Sequence, residues 1–154
     1  MSYPFRTLLM AALGWAIAAP VWADAGHSHS AAPFGTPGKA LAKARVIKLS
    51  MDDTMRFTPA SVEVRRGETI RFQIENRGKL RHEMVLGSIG DLKAHAELMQ
   101  RFPNMQHDEP NMVSVEPGGK AELLWQFSRA GTVDFACLVP GHFEAGMHGK
   151  LKVK

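Results

Sequence analysis

The chain has little of what commonly staples, anchors or charges a protein of its size. Its 154 residues contain one cysteine, so no internal disulfide can form. Its main apolar run, Leu8 to Ala19, is too short for a membrane span and soon gives way to polar residues. The net charge of +4 is small and dispersed, and the 8% aromatic content forms no stacking pattern. Nucleic acid is therefore not an expected partner; at most the charge favours an acidic protein or an anionic surface. No internal repeat is present.

What is there begins with a leader. Arg6, the run from Leu8 to Ala19 and the small residue Ala23 before Asp24 have the order of a secretory signal peptide, assigned to residues 1–23. Export without membrane insertion after cleavage is the expectation. Residues 24–42 are rich in Ala, Gly, Ser, Pro and His and read as a flexible tail. His27 and His29 in that tail are either a weak copper hook or two incidental histidines on a solvated segment. An exported chain meets oxidising conditions, where a lone thiol is a liability unless something occupies it.

From residue 43 to 154 the pattern is that of one folded domain. Ser61 to Val64 alternates apolar and polar residues, as does Thr69 to Ile74, which places Ile70, Phe72 and Ile74 on one face. Further strands are expected over Arg45–Ser50, His82–Leu86, Asn111–Val115, Ala121–Phe127, Thr132–Cys137 and Gly149–Val153. Asp91 to Phe102 breaks this period: Leu92, Leu98, Met99 and Phe102 recur at helical spacing, Asp91 suits an N-cap and Pro103 stops the run. The expected fold is all-β, an antiparallel Greek-key sandwich with one short inserted helix.

The stretch that carries chemistry is Cys137-Leu-Val-Pro-Gly-His142-Phe-Glu-Ala-Gly-Met147. Pro140, Gly141 and Gly146 make it a bent loop. A thiolate, an imidazole and a thioether on one loop suit copper: the sulfurs hold Cu(I), the imidazole tolerates both oxidation states, and a weak thioether tunes the potential. A trigonal site needs a second histidine, and His82, at the start of a strand and so at the sandwich rim, is the candidate. The alternative is a buried free cysteine packed as a small hydrophobe.

Cys137-x4-His142-x4-Met147, with His82 upstream, resembles the type 1 copper signature of the cupredoxins, with loop spacing similar to rusticyanin and auracyanin. Phe57 to Asn76 resembles the second and third strands of that family, so the likeness spans about residues 44–154. The His-containing N-terminus and scattered methionines look most like periplasmic copper-tolerance cupredoxins of the CopI type. The resemblance implies one type 1 copper cycling between Cu(I) and Cu(II). Cys137 would be the thiolate conduit, His82 and His142 the equatorial imidazoles and Met147 the axial ligand. It also implies a periplasmic monomer whose redox partner docks near His142, among Val139, Pro140, Phe143 and Ala145, unless that patch is ordinary loop packing. Many cupredoxins carry Asn or Ser directly after the first histidine, where this chain has Glu83. His148 is a solvent-facing histidine or a substitute for the thioether. His95 and Met99, four apart on the helix and near Met105, His107 and Met112, form either an auxiliary Cu(I) site or core methionines beside surface histidines.

Three classes of function compete. An exported single-electron protein serving copper tolerance is the first reading, with a dedicated respiratory or photosynthetic carrier as its variant. A copper oxidase or nitrite reductase needs several His-x-His pairs and a histidine beside the cysteine; this chain has one pair, and Ala136 and Leu138 flank Cys137. A zinc module is disfavoured because methionine is a poor zinc ligand. No enzymatic activity is expected.

Overall fold

The computed structural model describes residues 32–39, 44–103, 105 and 108–154. The leader, most of the tail with His27 and His29, and His107 lie outside the described residues. Among the described residues, ten strands and one helix follow in order: β1 Gly35–Pro37, β2 Arg45–Asp52, β3 Arg56–Thr58, β4 Ser61–Val64, β5 Thr69–Asn76, β6 His82–Gly87, α1 Ile89–Arg101, β7 Met112–Val115, β8 Lys120–Phe127, β9 Gly131–Ala136 and β10 His148–Val153. They form two five-stranded sheets, ordered β1-β8-β5-β2-β3 and β4-β10-β9-β6-β7.

The period of two in the sequence becomes the interface between these sheets. Ile70, Phe72 and Ile74 of β5 are buried, as are Ile47, Leu49 and Met51 of β2 and Leu123, Trp125 and Phe127 of β8. Met84, Leu86, Val133, Phe135, Leu151 and Val153 meet them from the second sheet. Each such side chain contributes about 1.5–3 kcal/mol by leaving water, which makes this interface the principal source of stability. Phe57 meets Phe135 edge-on at 5.0 Å between ring centroids, a favoured quadrupole geometry that joins β3 to β9.

The strand β6 is buried at every position, because the second sheet is covered on both sides near its middle. Its inward residues face the sandwich, while Val85 joins Ala136 and Leu138 in a separate apolar cluster beneath α1. The helix contributes Leu92, Ala96 and Met99 to that cluster. Leu98 and Phe102, expected on the apolar face, are exposed at 40% and 53%. The cap also differs from expectation. Ser88 is the N-cap and accepts a hydrogen bond from the Asp91 amide at 3.2 Å, while Asp91 sits in the first turn, where its negative charge is stabilised by the positive end of the helix dipole.

Two further expectations are corrected. The sandwich is mixed rather than wholly antiparallel: β2 runs parallel to β5, and β10 parallel to β4. Alternation reports which face is buried, not strand direction, and a parallel neighbour requires only that the chain cross over in between. The expected tail of 24–42 contains β1, which pairs antiparallel with β8. Phe34, just before it, packs against Trp125 with centroids 5.4 Å apart. A strand of three residues is too short to show a period.

Candidate metal centre

Three segments converge at one end of the sandwich. The start of β6 supplies His82, the end of β9 leads into Cys137, and the loop between β9 and β10 carries His142 and Met147. The loop closes on itself. The Cys137 amide donates to the Met147 carbonyl at 3.0 Å, and the Met147 amide donates to the His142 carbonyl at 3.0 Å. Gly141 and Gly146 have φ of +87° and +93°, the left-handed region where a side chain is strained. Arg56 of β3 donates to the Ala145 carbonyl at 2.9 Å and so ties the loop to the opposite sheet.

The segment before His82 is fixed as firmly. Asn76 is fully buried; its amide nitrogen donates to the carbonyls of Leu80 at 2.7 Å and Val115 at 2.9 Å. Its side-chain oxygen accepts from the Gly78 amide at 2.9 Å. The Asp53 carboxylate accepts from the amides of Lys79 at 2.7 Å and Leu80 at 3.2 Å, and lies 3.2 Å from His82 Nε2. The Lys79 amide, chiefly, holds Asp53 below the usual aspartate range, with help from Leu80 and His82.

His82, Cys137 and His142 are all buried and bring three donor atoms together. His82 Nδ1 is 3.2 Å from His142 Nδ1, and Cys137 Sγ is 3.3 Å from His142 Nδ1 and 4.0 Å from His82 Nδ1. The point equidistant from these atoms lies about 2.1 Å from each, an ordinary metal–nitrogen bond length and about 0.2 Å under a metal–sulfur one. The donor set therefore fits a metal ion without rearrangement. Burial pushes the Cys137 thiol up to about 12, partly countered by hydrogen bonds from the Glu83 and Val139 amides. Burial, then the neighbouring His82, lowers His142 below the usual imidazole range, so its ring is neutral and offers a lone pair.

Met147 is fully buried in the same core cluster as Cys137. His148 is exposed at the start of β10, with its ring 5.7 Å from that of Phe143. Around His142, Pro140 and Ala145 are exposed while Val139 and Phe143 are half-buried. Glu83 is buried, and its side chain turns away from the thiol: Ser114 Oγ donates to Oε1 at 3.2 Å and Arg81 lies 3.5 Å off. The Glu83 amide, rather than its side chain, reaches the sulfur and donates to Cys137 Sγ at 3.3 Å. Met99 sits under α1 in the apolar cluster, with His95 half-buried on the same helix. Among the described residues, His82, Cys137 and His142 are the one group of three or more His, Cys, Asp or Glu donors close enough to share an ion. Sequence reasoning missed Asp53 and Arg56, whose roles depend on contacts between distant segments.

A two-sheet sandwich with two imidazoles and one cysteine sulfur gathered at its end is the architecture of a cupredoxin. Residues 44–154 match the family described as copper binding proteins, plastocyanin/azurin family, and the chain belongs to that family. It is 50% identical over 143 residues to the copper-resistant cuproprotein CopI of Rubrivivax gelatinosus, covering 86% of this chain and 87% of that protein. With the Pseudomonas aeruginosa protein of the same name it shares 37% identity over 164 residues, covering 86% of this chain and 88% of the relative. Among solved structures, the fold is similar to reduced auracyanin from Roseiflexus castenholzii, with TM-score 0.62 and 21% identity over 72% of this chain and 98% of that one. An azurin from Methylomonas sp. strain J gives TM-score 0.59 and 20% identity over 71% and 98%.

Proposed function

We propose that this chain is an exported type 1 copper protein that holds one copper ion, exchanges single electrons and contributes to copper tolerance in the periplasm. The observation that carries the reading is the cluster of His82 Nδ1, Cys137 Sγ and His142 Nδ1, buried and spaced for a common ion. Met147, on the same pinned loop, would supply a weak thioether donor to the ion. Bound copper would supply the one-electron couple, with the thiolate and imidazoles stabilising both oxidation states. The chain's own part is to hold the donors still and keep water out. His82 is fully buried, and the loop carrying His142 and Met147 is tied by Arg56 and by its own backbone.

The relatives' name, copper-resistant cuproprotein, supports tolerance over a dedicated carrier role. Membership of the plastocyanin/azurin family of copper binding proteins supports a non-enzymatic role. A redox partner would dock on the surface around His142, where Pro140 and Ala145 are exposed. The protein would work as a monomer, with neither nucleic acid nor membrane insertion involved. Among the described residues, no helix is long and apolar enough to cross a membrane.

The test is direct. Purified protein given one equivalent of Cu(II) should develop intense thiolate-to-copper visible absorption, and Cys137→Ser should abolish it. A variant that keeps its colour would overturn the assignment of Cys137. Growth of a deletion strain on graded copper, with and without oxygen, tests the physiological role; unimpaired growth at every level would count against tolerance.

A further inference from the structure

The imidazole of His82 has two nitrogens, and only Nδ1 faces the donor cluster, 3.2 Å from His142 Nδ1. Nε2 points the other way, 3.2 Å from Asp53 Oδ1. An ionised carboxylate can only accept hydrogen bonds, so Nε2 carries the proton and Nδ1 keeps its lone pair. The carboxylate is itself immobilised, because the amides of Lys79 and Leu80 both donate to it. Gly78 makes room for this arrangement: a Cβ there would sit 2.0 Å from Asp53 Oδ1. Asp53 stands on the turn between β2 and β3, which supplies no donor of its own, yet it reaches the far side of a donor ring.

From this juxtaposition we infer that Asp53 is a positioning residue for the metal centre, locking His82 as the Nε2–H tautomer and strengthening Nδ1 as a donor. The inference rests on the proposed ligand set of His82, Cys137 and His142. A carboxylate behind a ligating imidazole fixes the ring's orientation and raises its basicity. A more basic donor favours Cu(II) over Cu(I), because the higher charge gains more from the added electron density. Asp53 therefore lowers the reduction potential. The same carboxylate, by gripping the amides before His82, sets where that ring stands relative to the thiol.

Two readouts test this, and one needs no metal. In the metal-free protein, nitrogen–proton correlation spectra report which ring nitrogen of each histidine is protonated. His82 should be Nε2–H in the wild type and a mixture of tautomers in Asp53→Ala. In the copper-loaded protein, redox titration should show Asp53→Asn shifting the Cu(II)/Cu(I) equilibrium towards Cu(I) at least tenfold, which is about 59 mV for one electron. Asp53→Ala should shift it further; where that variant does not fold, Asp53→Asn carries the test alone. Asp52→Asn is the control for charge, since the Asp52 carboxylate accepts from the Thr54 amide instead, at 2.9 Å. It should move the equilibrium less than twofold. A wild-type His82 protonated on Nδ1, or equal shifts from Asp52→Asn and Asp53→Asn, would overturn the inference. Failure of the ligand set itself looks different: Cu(I) loading would leave the His82 Nδ1 resonance unmoved whatever the tautomer.

Discussion

The strand before the main domain offers a perturbation whose effect on stability separates cleanly from any effect on the metal centre. Phe34 is half-buried against Trp125, with centroids 5.4 Å apart and planes inclined at 38°. Removing its ring in Phe34→Ala forfeits the aromatic pair, about 0.5–1.5 kcal/mol, and part of a phenyl group's burial. The expected loss is about 2 kcal/mol, which for a domain of this size lowers Tm by roughly 8 °C. Gly35→Ala attacks the same contact by crowding. A Cβ there would lie 2.1 Å from the Gln126 carbonyl oxygen and 2.6 Å from Trp125 Nε1, so β1 cannot stay paired. Both variants end with β1 released, and the double variant should cost little more than either alone, a strongly non-additive result. The assay is built in. Of the three tryptophans only Trp125 lies beyond residue 23, so in a chain beginning at Asp24 its fluorescence reports the uncovering directly. Emission should shift to the red and thermal unfolding should move down. The copper absorption should stay, since the donors lie on β6 and the β9–β10 loop. Unchanged emission and Tm in both variants would refute the packing role of β1.

Two further outcomes are expected. Met147→Leu keeps the volume of a fully buried side chain and should cost less than about 1.5 kcal/mol in urea unfolding. In redox titration it should raise the potential, because Cu(II) loses a donor; an unchanged potential and spectrum would take Met147 out of the axial place. Ser88→Ala removes the cap of α1 and should cost about 1 kcal/mol, with hydrogen exchange quickening in the first turn of the helix and not in β5.

How much was legible follows from which contacts are local. The alternation of Ile70, Phe72 and Ile74 gave β5 its face because a half-buried strand must repeat every two residues. The ligand loop could be read because its bend is local, written in Pro140, Gly141 and Gly146. Strand direction was not readable: β2 pairs with β5 across two intervening strands, and no residue type encodes a parallel neighbour. The cap of α1 was misread by three residues, since both Ser88 and Asp91 are good capping residues and the choice depends on where the helix meets β6. At Glu83 the residue's identity says little about the thiol it stands near. The hydrogen bond that reaches the sulfur from this position comes from a backbone amide, which any residue but proline would supply.

The single cysteine poses a problem before copper arrives as well as after. In the oxidising compartment proposed for this chain a thiol would be attacked through its thiolate, so its vulnerability depends on exposure and on how readily it ionises. Cys137 is fully buried, and burial pushes its ionisation up to about 12. Near neutral pH almost none of it is thiolate, and no oxidant reaches the sulfur without the loop opening. The clamps that hold the donors in place, Arg56 on Ala145 and the Cys137 amide on the Met147 carbonyl, are also what keep that loop shut. The metal must then displace a proton that the fold holds tightly, which a soft cation does through its affinity for sulfur. Rigidity thus protects the empty site and pre-forms the occupied one with the same contacts. Loosening the loop should therefore increase thiol oxidation of the metal-free protein as well as disturb its colour when loaded.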